Sequence, residues 1–129
     1  MGLDLWALLA VLVLAMVQLS WQSIVTLRQA GPKWVAGPRD TPFEVKGRGG
    51  RIVRAHRNLL EILPQFFAAL FLVHAANMNG DLTVWGAWLF FFARLFYVPA
   101  YILGPTGLRS IFWQAGQIGI IVILCDILW

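Results

Sequence analysis

Polar and charged side chains recur at helical spacing inside otherwise apolar stretches of this chain. Arg54, Arg57, Asn58, Glu61 and Gln65 follow one another at intervals that place them on one face of a helix. The opposite face is apolar, with Leu59, Leu60, Leu63, Phe66 and Phe67. A second stripe, Arg94, Tyr97 and Tyr101, has the same helical spacing in a later apolar segment, and a third segment opens with Arg109, Ser110, Trp113 and Gln114. Arginine forks grip carboxylates, a carboxylate holds an ammonium, and an asparagine reads an amide. This set suits a compact anion that also carries an amine. A cation such as Arg109 beside a thiol favours the thiolate, which is the reactive nucleophile.

The elements that must position these groups follow from composition. Of 129 residues, 60% are hydrophobic and only 12% charged, and the mean hydropathy is +0.73. A soluble domain of this length leaves too much surface exposed to hide so much apolar area. Lipid removes the difficulty. A spanning helix needs about 20 apolar residues, and four segments qualify: about Leu3–Leu27, Ile52–Ala76, Leu82–Leu103 and Ser110 to the end. Residues 28–51 hold Pro32, Pro38, Pro42 and the run Gly47-Arg48-Gly49-Gly50, and read as a loop. Asn77 to Asp81 read as a tight turn. Short links force antiparallel neighbours, so the expected fold is an all-α integral membrane four-helix bundle, one domain over 1–129. No basic residue precedes Arg28, and no small-x-small site directly follows the first apolar stretch, so that stretch reads as a retained span rather than a signal peptide. Cys125 is the only cysteine and reads as a core thiol.

The formal charge of +4 does not point to nucleic acid, because no basic run is interleaved with exposed aromatics. Arg28, Lys33, Arg39, Lys46, Arg48, Arg51, Arg54 and Arg57 cluster in or beside the first loop, with Arg109 by the third. Asp4, Asp81 and Asp126 mark the other side. The expected orientation puts the first and third loops in the cytosol and both termini outside. Glu61 and Arg94 both lie roughly 13 Å from the cytosolic edge, at 1.5 Å per residue, and can pair. Each group also has a structural reading. Arg54 can snorkel to the interface, Glu61 and Arg94 can form a structural ion pair, and Tyr97 and Tyr101 can belong to packing or an aromatic belt. Ser110 reads as a helix cap. His56 reads as interfacial, and Trp6, Trp85, Trp88 and Trp129 as belt or lipid-facing groups. Snorkelling does not account for an acid, an amide, two phenols and several arginines converging at one depth.

Through these residues the chain resembles the membrane-associated proteins in eicosanoid and glutathione metabolism (MAPEG). The run RIVRAHRNLLEILPQF, Arg51 to Phe66, is similar to that family's helix-2 signature, and FARLFYVPAY, Phe92 to Tyr101, to its helix-3 signature. The long first loop, with Gly37-Pro38-Arg39-Asp40, resembles bacterial members. The resemblance implies a homotrimer with glutathione as co-substrate, held in clefts between subunits on the cytosolic side. It implies glutathione-binding roles for Arg28, Arg54, Arg57, Asn58, Glu61, Arg94, Tyr97 and Tyr101, and a thiolate-stabilising catalytic role for Arg109. Ile62 departs from the pattern, standing where some members carry a tyrosine. The implied activity is a transferase or peroxidase acting on lipophilic electrophiles that arrive through the bilayer. The implied partners are a second and third copy of the chain, lipophilic small molecules and membrane lipid, with no metal and no nucleic acid. The implied location is a bacterial inner membrane. A non-catalytic scaffold of the same fold, binding lipid or a partner membrane protein, is the alternative.

Overall fold

A computed structural model of residues 1–129 contains five helices: α1 (Leu3–Ala30), α2 (Pro32–Ala36), α3 (Gly47–Ala75), α4 (Asp81–Leu103) and α5 (Leu108–Leu128). All but α2 are long and apolar enough to cross a membrane. The four run antiparallel, as the short turns require. α1 packs on α3 and α4 from one side and α5 packs on them from the other, so α1 and α5 do not touch. One end of the bundle gathers the basic residues of the first loop; the other carries Asp4, Asp81 and Asp126.

The core lies where α1, α3, α4 and α5 face one another. Leu59, Leu63, Phe66 and Phe90 are buried there with Val11 and Ile123, and the rings of Phe66 and Phe90 stack at 4.1 Å between centroids. Leu60 and Phe67, expected to share that apolar face, point outward instead. α3 therefore has an apolar side for its own core and another for the surroundings. The α4–α5 contact is the closest. A Cβ at Gly119 would lie 2.7 Å from the carbonyl oxygen of Gly86 and 2.9 Å from the backbone nitrogen of Phe90, and a Cβ at Gly86 would meet the carbonyl of Gly119. Only hydrogen side chains let the two backbones come this near.

The expected 28–51 loop is shorter than the sequence suggested. α1 continues to Ala30, a short helix occupies Pro32–Ala36, and α3 already begins at Gly47. Gly47, Gly49 and Gly50 are poor helix formers by propensity. Packing overrides this. Gly49 lies against Val25 and Gly50 against the carbonyl of Val45, with no room for a side chain at either place. The Gln29 side chain then pins the loop end, donating to the Lys46 carbonyl at 3.0 Å and accepting from the Lys46 N–H at 2.9 Å. Pro32 at the head of α2 follows Gly31, whose φ of 87° turns the chain.

Three further expectations change. His56 is buried in the bundle rather than interfacial, because its side of α3 faces inward. Gly107, at φ 97°, caps α5 instead of Ser110, which lies inside the first turn. Cys125 is half-buried rather than a core thiol. Trp6, Trp85 and Trp129 are exposed as expected, whereas Trp88 is half-buried and donates to the Leu3 carbonyl at 3.0 Å.

Candidate functional site

Three helices bring one cluster together at the basic end. α3 supplies Arg54 and Asn58, α4 supplies Arg94, Tyr97 and Tyr101, and the first turns of α5 supply Arg109, Ser110 and Trp113. The spacing of each set along its helix keeps its members on one side. Asn58, Tyr97, Arg109, Ser110 and Trp113 line a cleft of about 170 Å³. Behind it lies Arg94, fully buried, donating from Nη1 to Asn58 Oδ1 at 2.9 Å. The Arg94 guanidinium also sits 4.1 Å from the Tyr97 ring centroid, a cation–π contact that holds the phenol against the cleft wall.

A second layer closes the mouth. Arg54 Nε donates to the Tyr101 hydroxyl at 3.0 Å, and Arg109 lies over the Tyr101 ring at 4.8 Å. The two tyrosines meet edge to face at 5.8 Å. Arg51 Nη1 donates to the Ile102 carbonyl at 2.9 Å and so caps the C-terminal end of α4 beside them.

The cluster has no internal counter-charge. The single ion pair in the chain joins His74 to Asp4 at 2.6 Å, at the far end of the bundle. Glu61 does not pair with Arg94, contrary to expectation. The registers match in depth, but Glu61 points out of the protomer, while Arg94 turns inward to Asn58. Depth along the axis did not include the rotation about it. Arg94 Nε and Nη2 remain buried without partners.

The other expected binding residues lie apart from the cleft. Arg57 lines a separate polar cavity of about 350 Å³ under the first loop, together with Arg54, Arg39, Glu44 and Trp34. That loop is held by the Trp34 indole donating to the Thr41 carbonyl at 2.6 Å and by Arg39 stacked 5.1 Å over Trp34. Arg28 is exposed at the end of α1. Reading α3 as one polar stripe missed this division: Arg54 and Asn58 turn toward α4, whereas Arg57, Glu61 and Gln65 face away. Arg51 and the loop residues Trp34 and Arg39 were also missed, since no helical spacing links them to the stripes.

Over residues 6–129 the sequence matches the model described as MAPEG family. The chain belongs to the MAPEG family. No curated protein and no solved structure matches it. The family match takes in nearly the whole of the four spans of this multi-pass membrane protein and every residue of the cluster described above.

Proposed function

We propose that the cluster binds glutathione and activates its thiol for transfer to, or reduction of, lipophilic electrophiles. What supports this reading most is three guanidinium groups, of Arg54, Arg94 and Arg109, converging with an amide and two phenols, none of them ion-paired and with no carboxylate lining the cleft. Uncompensated positive charge at membrane depth is costly unless an anion is there to meet it. Glutathione supplies two carboxylates for arginine forks and peptide groups for Asn58. Arg109, exposed at the cleft, stands near a bound thiol, lowers the cost of the thiolate and releases its proton to water. In transfer, the thiolate sulfur bonds to the electrophilic carbon and the leaving group departs with its electron pair. In reduction, two thiols convert one hydroperoxide to alcohol and water and end as the disulfide. Holding the two reactants together and meeting the developing charge provide the acceleration.

The reading includes a homotrimer. A cleft of about 170 Å³ is smaller than the ~300 Å³ floor of small-molecule sites. Glu61 and Gln65, exposed on one protomer within a spanning helix, need a polar neighbour rather than lipid. A second α3 face or α1 end across a subunit boundary satisfies both, bringing Arg28 and Glu61 to the guest's other end. The basic loops lie in the cytosol of a bacterial cell, with the inner membrane around the bundle and both termini outside.

Isothermal titration of the detergent-solubilised protein with glutathione tests the binding. Saturable heat at millimolar concentration or below is expected. No heat up to that concentration overturns the reading.

A further inference from the structure

The polar cavity under the first loop shares only Arg54 with the thiol cluster. At about 350 Å³ it stands at the lower end of small-molecule sites, roughly 300–1,000 Å³. Its walls carry charge of both signs: the guanidinium groups of Arg39, Arg54 and Arg57, and the carboxylate of Glu44. No guanidinium nitrogen comes within 4.0 Å of a Glu44 oxygen, because the chain's single ion pair lies at the far end of the bundle. Two of the cations are tied elsewhere. Arg39 donates twice to the Val35 carbonyl, at 3.1 and 3.0 Å, and Arg54 donates to the Tyr101 hydroxyl. Positive and negative groups are thus held apart across one small space, which fits a guest that itself carries both charges at a distance.

The loop keeps this space open. Arg39 adopts the left-handed region, at φ 58°, which side chains other than glycine rarely enter. Backbone strain of this kind collects at ligand sites. Trp34 and Phe43 pack at 5.6 Å to wall the cavity on the loop side. On the opposite wall Gly50 leaves Arg54 uncovered, since a Cβ there would lie 3.1 Å from Nη1.

Depth identifies the guest's source. Gln22 and Thr26, which line the cavity from α1, lie roughly 27 and 33 Å along that helix from Asp4, at 1.5 Å per residue. A hydrocarbon core is about 30 Å thick, so the cavity straddles the boundary where phospholipid headgroups begin. Basic pockets between spanning helices at this level bind lipid phosphates. Glu44 adds a demand that an anionic headgroup does not meet.

We infer that this cavity binds the headgroup of a phospholipid that carries a primary amine, as phosphatidylethanolamine does. The phosphodiester meets Arg57 and the free end of Arg54, the ammonium meets Glu44, and the acyl chains stay in the bilayer beside α1 and α3. The inference rests on the helices crossing a membrane and not on the glutathione reading.

Native mass spectrometry of the full chain in detergent tests it with four probes: phosphatidylethanolamine, phosphatidylcholine, phosphatidylglycerol and soluble glycerophosphoethanolamine. The amine lipid binds best, one per protomer. Phosphatidylglycerol, which has the phosphate but no cation, is weaker by about fivefold, the factor one charge contributes at a membrane surface. Phosphatidylcholine, whose methyl groups replace the ammonium donors, is weaker by about two- to tenfold, the range of one net hydrogen bond. The soluble headgroup is weaker by at least about tenfold, since it lacks the chains that anchor the lipid at this depth. Glu44→Gln removes the preference for the amine lipid over phosphatidylglycerol. Arg57→Gln weakens all three lipids by about fivefold and keeps their order, because each carries the phosphate. Glutathione titration of Glu44→Gln matches the parent, which separates failure here from failure at the cleft. The inference is overturned if phosphatidylglycerol or phosphatidylcholine binds the parent as well as the amine lipid does, or if either substitution leaves the parental pattern intact. It is also overturned if the soluble headgroup binds as tightly as the lipid, which makes the guest a soluble phosphate ester. Displacement of the lipid by glutathione, itself an anion with an amine, overturns it too by making the cavity part of the thiol site.

Discussion

Asn58→Leu isolates the interaction on which the cleft's shape depends. Asn58 Oδ1 accepts the only side-chain hydrogen bond from Arg94, at 2.9 Å, and two further donors of that fully buried guanidinium already lack partners. Hydrogen bonds between spanning helices average about 0.6 kcal/mol, because the unfolded chain in the membrane also finds partners. A charged donor raises this to about 1.5–3 kcal/mol. Leucine leaves a third donor without a protein partner, so the expected cost is about 2 kcal/mol. Arg94→Met on the Asn58→Leu background removes the stranded charge and recovers at least half of that loss, since deleting both members of a buried pair costs far less than deleting one. The assay is reversible unfolding in mixed micelles of dodecyl sulfate and a mild detergent, followed by tryptophan fluorescence. Asn58→Leu should unfold at a lower dodecyl sulfate fraction, and the double variant between it and the parent. Unfolding of Asn58→Leu at the parental midpoint would refute the reasoning, as would a double variant less stable than Asn58→Leu.

Other substitutions probe the remaining joints. Arg109→Leu should retain most glutathione binding but lose at least tenfold in conjugation rate with a halonitrobenzene, because the thiolate loses its exposed cation; equal rates would remove Arg109 from the chemistry. Gly119→Leu forces a side chain into the α4–α5 contact, where a Cβ alone would lie 2.7 Å from the Gly86 carbonyl oxygen, and should cost about 1–3 kcal/mol by overpacking in the same unfolding assay. Asp126 accepts from the backbone N–H groups of Gly80 and Thr83, at 2.9 and 2.7 Å, and from the Thr83 hydroxyl at 2.6 Å. It therefore caps α4 from another helix, and Asp126→Ala should cost about 1 kcal/mol, as for a lost N-cap, with faster amide exchange at residues 81–84. Tyr101→Phe frees Arg54 from its 3.0 Å bond and should weaken glutathione binding several-fold with little change in stability; an unchanged affinity would place Tyr101 outside the binding surface.

Hydropathy and spacing alone determined the number of spans, their antiparallel course and the residues to watch. This follows because lipid admits only segments that satisfy their own backbone, and polar side chains inside such segments stand out against an apolar background. The convergence of Asn58, Arg94, Tyr97 and Arg109 was legible for the same reason: shared depth limits what can meet. Rotation about the helix axes was not legible. Whether Asn58 or Glu61 meets Arg94 turns on about 60° of α3, three residues apart on the sequence wheel, and only the packing of Leu59, Leu63 and Phe66 against Phe90 fixes that angle. The start of α3 at Gly47 was hidden too, since glycine argues against a helix by propensity and for one only when Val25 and the Val45 carbonyl stand where a side chain would go. Local composition set the elements; contact between them decided which side chains share a space.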